Sequence, residues 1–435
     1  MISASPRTGS THGSVGSRLA FFVWGIGLAA YVVAVAGRTS LGVAGLQAAD
    51  RFSIDASTLA TFSVVQLAVY AAAQIPAGMV LDRIGSRKLI TIGVVVLSTG
   101  QLLLGLVNTL PLALVARVLI GLGDAAVLVS VLSLIPVWFR PRMVPMMTQV
   151  TGIVGQLGQV ISAVPFLAVL LTFGWTPAFA SLAGAGLLLA LLAGTCVRDR
   201  PTAPNGRRSV DSVAGVPPLG AAARETAPTI LREPGVWLGF FTHFVTLFPT
   251  NTFLLLWGVP FLTVGQGVSA QRASALLTIG ALAGLFIGPA LGELVARYPT
   301  RRSWLVLGTV ALSTGVWALV LVPTGPRPFW QLVLLSVTVA AGVATCTIGF
   351  DFARTFAAPS HLGTAIGMVN VGGYVASLVA ILLFGLVLDH VRPSGQYVLA
   401  DFRLAFTAQL PLLAVGVVGV LLSRRATTRR TGRRT

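Results

Sequence analysis

Charged residues are scarce in this chain, and acidic ones are scarcer than basic ones. Only 10% of the 435 residues are charged, with 12 Asp and Glu against 30 Lys and Arg, while 55% are hydrophobic. Soluble proteins carry about 25% charged residues, and the mean hydropathy of this chain is +0.87. This composition excludes an ordinary soluble domain and indicates a protein that is embedded in lipid.

Several motifs for catalysis and ligand binding are also missing. Cys196 and Cys346 are the two cysteines, and they stand apart without the spacing of a metal site or a disulfide framework. The sequence has no G-x-x-x-x-G-K-[ST] loop, no G-x-S-x-G and no H-E-x-x-H. A selectivity-filter loop of the channel type is absent too. We therefore expect neither an enzyme, nor a nucleotide-driven pump, nor a bound cofactor.

Long apolar runs fill the chain instead. A helix needs roughly 20 apolar residues to cross the bilayer core, and twelve such runs occur. They cover residues 19–45, 58–80, 89–108, 111–138, 146–171, 175–196, 234–264, 271–296, 303–323, 328–350, 361–388 and 403–423. The runs are continuous rather than alternating, which predicts helices and not a barrel. The expected fold is all-α, with twelve transmembrane helices.

The basic residues are distributed unevenly between the loops. If the N-terminus is cytoplasmic, 23 of the 30 Lys and Arg residues fall in inner loops and tails, five in outer loops, and Arg38 and Arg117 within spans. This is the positive-inside bias, and it predicts a multi-pass protein with both termini in the cytoplasm. The bias also explains the basic C-terminus by contact with the lipid bilayer rather than nucleic acid. The single lysine, Lys88, suggests a bacterial cell (inner) membrane.

The chain divides into two related halves. Residues 197–233 are rich in Pro, Gly, Ser and charge, which predicts a cytoplasmic linker. The expected order is an N-terminal tail (1–18), a six-helix bundle (19–196), the linker, a second six-helix bundle (234–423) and a basic tail (424–435). The pattern G-x-x-x-D-R-x-x-x-R-K from Gly78 recurs 214 residues later as G-x-x-x-A-R-x-x-x-R-R from Gly292. Parallel repeats of this kind place the substrate path between the halves, near the membrane midplane.

The motif that begins at Gly78 resembles the loop between the second and third helices of major facilitator superfamily transporters. The resemblance implies two pseudo-symmetric bundles, alternating access and a working monomer. It also implies a conformational latch, in which the acid ties the loop to neighbouring helix ends and favours the outward-open state. The latch residues would be Gly78, Asp82, Arg83, Gly85, Arg87 and Lys88. In the second copy Ala296 replaces the acid, and Glu293 is a partial substitute.

The fourth span contains two charged residues. Its sequence from Arg117 reads R-V-L-I-G-L-G-D, and R-x-x-x-G-x-G resembles the superfamily's fourth-helix motif, whose Arg is often linked to proton movement. Arg117 and Asp124 are two turns apart and share a helix face. Charges within a span line a cavity or pair with one another. We assign proton coupling to Asp124 and Arg117, with His243 of the seventh span as a further candidate. A structural ion pair and simple packing are the alternatives.

Arg38 is the clearest indication of a substrate. Residues 37–44 read G-R-T-S-L-G-V-A after nineteen uncharged residues. They resemble the D-R-x-N-L-x-x-A segment of anion:cation symporters and organophosphate porters, in which the Arg binds the anionic group. Gly37 and Ser40 depart from that pattern. Asn251 marks the matching place in the seventh span, where there is no second Arg, and this favours a monovalent anion. An Arg that snorkels at the outer interface is the alternative.

Polar side chains in other spans complete the predicted substrate site. Together with Arg38 they are Gln66, Tyr70, Gln156, Asn251, Asn370 and Tyr374. Each could instead only join neighbouring helices. We expect secondary-active, proton-coupled symport of a small organic anion, driven by an ion gradient.

Three other functions remain open. They are a proton-antiport exporter of drug-like or cationic solutes, a nitrate or nitrite porter, and a receptor or scaffold without transport. The fifth span lacks the exporter pattern G-x-x-x-G-P-x-x-G-G.

Overall fold

A computed structural model describes residues 16–53, 56–200, 230–393 and 396–432 of the chain. These residues contain twelve helices long and apolar enough to cross a membrane, which confirms the predicted all-α fold. The helices are α1 Gly16–Val43, α2 Ala56–Ile84, α3 Ser86–Leu106, α4 Leu110–Trp138, α5 Val144–Phe173, α6 Trp175–Cys196, α7 Pro234–Gly265, α8 Ala270–Arg297, α9 Arg302–Leu321, α10 Phe329–Phe356, α11 Leu362–Val391 and α12 Leu399–Thr431. A short helix, Gly45–Phe52, follows α1.

Two of the helices change pitch where their sequences contain proline. In α5 the turn Ser162–Phe166 is π-helical around Pro165. In α7 the π-helical turn Thr252–Trp257 follows Pro249, and a second one, Phe261–Gly265, follows Pro260. Proline removes a backbone donor and clashes with the preceding turn, so the wider turn accommodates it. The irregular segment of α7 therefore extends from Thr252 to Gly265.

The helices pack as two halves, α1–α6 and α7–α12. Between the halves, α2 lies along α11 and α5 lies along α8. Gly367 of α11 is so close to α2 that an added Cβ would overlap the carbonyl oxygen of Gln74. In the two halves α2 corresponds to α8, and α5 corresponds to α11. The α2–α11 contact and the α8–α5 contact are therefore equivalent. This is the pseudo-symmetry that the sequence repeat predicts.

An even number of spans places both ends of the described chain on one side of the membrane. We call this side the terminal face and the opposite side the far face. The α2–α3, α4–α5, α8–α9 and α10–α11 turns lie on the terminal face. Large apolar side chains such as Leu171 and Phe286, which are 68% and 77% exposed, cover the outside of the bundles and match a lipid environment.

The helix ends agree with the predicted runs at the centre of the chain and differ at its C-terminus. α6 ends at Cys196 and α7 begins at Pro234, on either side of the predicted linker, most of which (201–229) lies outside the described residues. The predicted tail from residue 424 is instead largely a continuation of α12, which ends at Thr431. Arginine is a good helix former. In addition, Arg424 lies 4.5 Å from the ring of Trp304, and Arg430 pairs with Glu233 at 3.4 Å.

Candidate functional site

Arg38 forms a bidentate ion pair inside the first half. Its Nε donates to Asp124 Oδ2 at 2.7 Å and its Nη2 to Asp124 Oδ1 at 3.0 Å. The carboxylate has no exposed surface, whereas the arginine side chain is 22% exposed. The planar guanidinium fork matches a carboxylate with two parallel hydrogen bonds. One face of Arg38 is therefore held by α4, and the rest of the group remains accessible.

The second half contributes aromatic and amide groups to the same place. Arg38 Nη1 donates to the hydroxyl of Tyr374 at 3.2 Å. The guanidinium carbon lies 4.6 Å from the ring centroid of Tyr70, a cation–π distance. Asn370 Nδ2 donates to the Tyr70 hydroxyl at 3.1 Å, and the Tyr70 and Tyr374 rings meet edge to face at 4.7 Å. Groups from α1, α2, α4 and α11 thus meet between the two halves.

Arg117 adds a second buried cation. It is 1% exposed, and its Nη2 donates to the backbone carbonyl oxygen of Arg38 at 3.3 Å. Its Nε and Nη1 have no hydrogen-bond partner among the described residues. Arg117 and Asp124 lie on one face of α4, as the spacing predicts, but the ion pair joins Asp124 to Arg38. Two arginines and one carboxylate give this cluster a net charge of about +1, which favours anions.

The structure brings together five of the predicted functional residues. Arg38, Tyr70, Asp124, Asn370 and Tyr374 form the cluster, and Arg117 borders it. His243 borders it too, because its side chain interacts with that of Asn370, while its Nδ1 lies 2.9 Å from the carbonyl oxygen of Cys346. The other polar candidates make different contacts: Gln66 is buried with its Nε2 unpartnered, Gln156 is exposed and accepts from Gln159, and Asn251 donates to Ser377 at 3.0 Å. Their roles remain predictions.

Tyr31 belongs to the cluster but was not predicted. It is 7% exposed, packs against Gly155 of α5, and interacts electrostatically with Arg38 and Tyr374. The signal was present in the sequence, because Tyr31 and Arg38 are seven residues apart on α1 and share one helix face.

The predicted latch residue Asp82 joins the halves at the terminal face. Its carboxylate accepts hydrogen bonds from the backbone N–H of Gly363 at 2.7 Å, the N–H of Thr364 at 2.9 Å and the Thr364 hydroxyl at 2.6 Å. These N–H groups belong to the first turn of α11, where a helix has unsatisfied donors and a favourable dipole for an anion. A Cβ at Gly78 would overlap Gly363. Asp82 of one half therefore caps a helix of the other.

The loop after Asp82 is held by the last turn of α6 and by the residues that follow it. Gly85 has a φ of 83°, in the left-handed region that favours glycine. A Cβ there would lie 2.8 Å from the carboxylate of Asp199. The same carboxylate accepts from the Arg87 N–H at 2.8 Å, and Arg87 Nε donates to the Gly194 carbonyl oxygen at 2.7 Å. Arg83 and Lys88 complete this loop, Lys88 with its side chain exposed.

Three further contacts cross between the halves near the terminal face. Gln149 of α5 donates to the Ala344 carbonyl oxygen and to the Thr347 hydroxyl of α10, both at 2.7 Å. Exposed Arg142 pairs with Glu293 at 3.2 Å, so the acid near the second motif copy also bridges the halves. In the third contact, Arg354 of α10 donates to the Leu132 carbonyl oxygen of α4. Arg354 is also paired with Asp351 of its own helix at 2.9 Å. The terminal face is closed in this structure.

Two helical bundles that share a polar cluster at mid-membrane and close on one face form the architecture of a secondary transporter. The family model of the Major Facilitator Superfamily matches residues 27–380 and 239–435. The chain belongs to this superfamily, and it is a membrane transporter rather than an enzyme.

Three relatives are described as probable transporters of anions or organic acids. The chain is 22% identical over 408 residues to a probable sulfoacetate transporter of Cupriavidus necator, with 90% of each chain covered. It is 25% identical over 392 residues to a probable galactarate/D-glucarate transporter of Escherichia coli, covering 82% of this chain and 85% of the relative. A probable anion transporter of Arabidopsis thaliana is 24% identical over 366 residues, covering 81% and 84%.

Solved structures show the same fold. A bacterial homologue of the human lysosomal transporter Spinster, in an inward-facing and unoccupied conformation, superposes with a TM-score of 0.58 at 18% identity, covering 96% of this chain and 99% of that one. The transporter FucP in its outward conformation superposes with a TM-score of 0.63 at 13% identity, covering 93% and 99%. At these identities the likeness concerns the fold alone.

Proposed function

We propose that this transporter carries a small organic anion together with a proton, and that Arg38 and Asp124 couple the two. The observation that carries the proposal is the bidentate pair: Asp124 occupies the guanidinium fork that an anionic substrate needs. A carboxylate and a substrate anion compete for the same two donors. Substrate binding at Arg38 therefore requires that the Asp124 carboxylate dissociates from the guanidinium.

Burial links that release to a proton. Asp124 has no exposed surface, and an ionised carboxylate left buried without its partner destabilises a protein by about 3–5 kcal/mol. Protonation of Asp124 removes this penalty and frees Arg38 for the incoming anion. One proton and one monovalent anion leave the charge of the cluster unchanged. The empty and loaded clusters are thus electrostatically alike, which suits a carrier that must change conformation in both.

The Asp82 latch governs the conformational change in this proposal. While the terminal face is closed, the anion and the proton reach the cluster from the far face. Loss of the Asp82 contacts to α11 then opens the terminal face. The distribution of Lys and Arg supports a cytoplasmic terminal face. The relatives described as probable transporters of galactarate/D-glucarate and of sulfoacetate support a carboxylate or sulfonate substrate and a bacterial inner membrane. Because those acids are dianions, the single negative charge proposed for the substrate of this chain depends on the Arg38 cluster and not on the relatives. We expect the chain to work as a monomer.

The test is proton uptake and transport by the purified protein. A panel of carboxylates and sulfonates is screened by thermal stability, because a ligand at 100 times its Kd adds about 2.7 kcal/mol. Anion binding to the wild type should take up one proton from a weakly buffered solution. Asp124→Asn should bind the anion without proton uptake and lose pH-driven accumulation in liposomes. Arg38→Gln should lose binding.

The control is Asp401→Asn. Asp401 is another buried carboxylate paired with an arginine, Arg392, at 2.5 Å, but the pair lies at the far face. This variant should keep both proton uptake and accumulation. Proton-driven accumulation that survives in Asp124→Asn would contradict the coupling, and stabilisation only by cationic solutes would favour an exporter. Anion binding without flux would favour a receptor.

A further inference from the structure

A cleft opens between α9 and α12 in the outer wall of the second half. It has a volume of about 600 Å³ and extends from the middle of the membrane to the far face. Its walls include Phe248 of α7, Ser313 and Trp317 of α9, and Phe406, Gln409 and Leu413 of α12. Cavities of this size commonly bind ligands. The cleft lies on the lipid-facing side of α7 and is separate from the Arg38 cluster.

The corresponding helices of the first half leave no such space. α3 and α6 pack closely, and a Cβ at Gly186 would overlap the hydroxyl of Ser98. By contrast, α9 and α12 make very little contact with each other. The cleft is therefore a property of the second half and not a general consequence of the fold.

A buried amide in the cleft lacks a hydrogen-bond partner. Gln409 lies in the turn between the two segments of α12, Leu399–Thr407 and Leu410–Thr431, and is 5% exposed. Its Nε2 has no acceptor among the described residues. A buried donor left without an acceptor costs about 1–3 kcal/mol. An occupant that offers a carbonyl oxygen at this depth would remove the cost.

A cation lies at the mouth of the cleft. Arg403 donates from Nε to the Leu321 carbonyl oxygen at 2.5 Å and from Nη2 to the Val322 carbonyl oxygen at 2.7 Å, so the end of α9 holds it in place. No carboxylate pairs with Arg403 in the described part of the chain. Gln409 is six positions further along the chain, roughly 9 Å along a helix axis. Charge thus lies at the membrane surface and the amide lies deeper.

We propose that this cleft binds one phospholipid from the leaflet at the far face. The phosphate contacts Arg403, an ester carbonyl oxygen accepts from Gln409 Nε2, and an acyl chain packs against Trp317, Phe406 and Leu413. The order of groups along the cleft, cation, amide donor and then apolar wall, matches the order of groups along a phospholipid. A basic group between transmembrane helices is also a recognised way to bind lipid head groups.

The test measures phosphatidylglycerol binding to the full chain in an uncharged alkyl glucoside detergent by native mass spectrometry. Arg403→Gln should weaken binding about fivefold, the effect of one basic residue at a lipid surface. Ser313→Phe should abolish binding because the ring fills the cleft. Arg327→Gln is the matched control, since Arg327 is a far-face arginine outside the cleft lining, and it should bind normally. Equal affinity in all variants would overturn the proposal.

A second measurement needs no variant. Phosphatidylglycerol with a photoreactive acyl chain is cross-linked to the wild-type protein, and the labelled peptides are mapped. Labels in 309–322 and 400–413 support the cleft, and labels found only elsewhere overturn it. Equal labelling of the same peptides by a photoreactive diacylglycerol, which lacks the phosphate, would overturn the role of the phosphate.

Discussion

Replacing Asp82 with asparagine tests how the terminal face is held closed. The carboxylate accepts three hydrogen bonds from Gly363 and Thr364. Asparagine keeps one oxygen but turns an NH₂ group towards donors of α11, and it removes the negative charge from the helix N-terminus. Hydrogen bonds to a charged group contribute about 1.5–3 kcal/mol each, and the charge at the helix end up to about 2 kcal/mol.

We expect the closed terminal face to lose about 2–4 kcal/mol in Asp82→Asn, because part of the hydrogen bonding survives. At 1.4 kcal/mol for each factor of ten, the closed population falls about 30- to 700-fold relative to the open one. Glu293→Gln is the matched control. Glu293 also bridges the halves, but its side chain is 53% exposed and that of its partner Arg142 is 76% exposed. An exposed pair contributes about 0–1 kcal/mol.

The assay is a distance measurement between spin labels at Arg140 and Arg301, two exposed positions at the terminal face of different halves. The native Cys196 and Cys346 are first replaced by serine. Asp82→Asn should shift the distribution to longer distances, and Glu293→Gln should leave it nearly unchanged. Unfolding temperatures confirm that both variants are folded. A short distance that persists in Asp82→Asn, or an equal shift in the two variants, would contradict the role of Asp82 as a latch.

Four further substitutions, at three positions, test single contacts. Gly367→Val places a branched side chain between α11 and α2 and should open the terminal face, seen as the same increase in label distance. Asp199→Asn weakens the bond to the Arg87 N–H and should lower the unfolding free energy by about 1 kcal/mol, measured by thermal unfolding. Tyr70→Phe keeps the ring beside Arg38 and should lower anion affinity about fivefold through the lost hydroxyl. Tyr70→Leu should lower that affinity further, which calorimetry would measure.

Local sequence predicted the spans well because each depends on its own residues. A run such as 175–196 is long enough and apolar enough to cross the bilayer wherever its neighbours lie, and α6 has these bounds. The end of α12 was missed for the opposite reason. Its helix continues beyond the apolar run, with Arg424 and Arg430 in contact with Trp304 and Glu233, residues that are distant in sequence.

The candidate site was predicted only in part. The charge of Arg38, Arg117 and Asp124 within spans marked them as functional candidates, since charges in lipid need a partner or a cavity. Helix periodicity predicts that Arg117 and Asp124 share a face, because they lie on one helix. It cannot predict the contact between Arg38 and Asp124, which lie on different helices and are 86 residues apart. Gln156 and His243 were selected by residue type alone. Gln156 accepts from Gln159 instead, whereas His243 lies beside Asn370 at the edge of the cluster.

Hydropathy, charge bias and the repeat are properties of short segments, and they are enough to predict a twelve-helix membrane protein with two repeated halves. Which groups meet depends on the tertiary structure. It pairs Asp124 with Arg38, it places Asp82 on the first turn of α11, 281 residues from Asp82 itself, and it leaves the cleft between α9 and α12. These contacts depend on how helices approach one another, and that is set by packing over many residues rather than by any single segment.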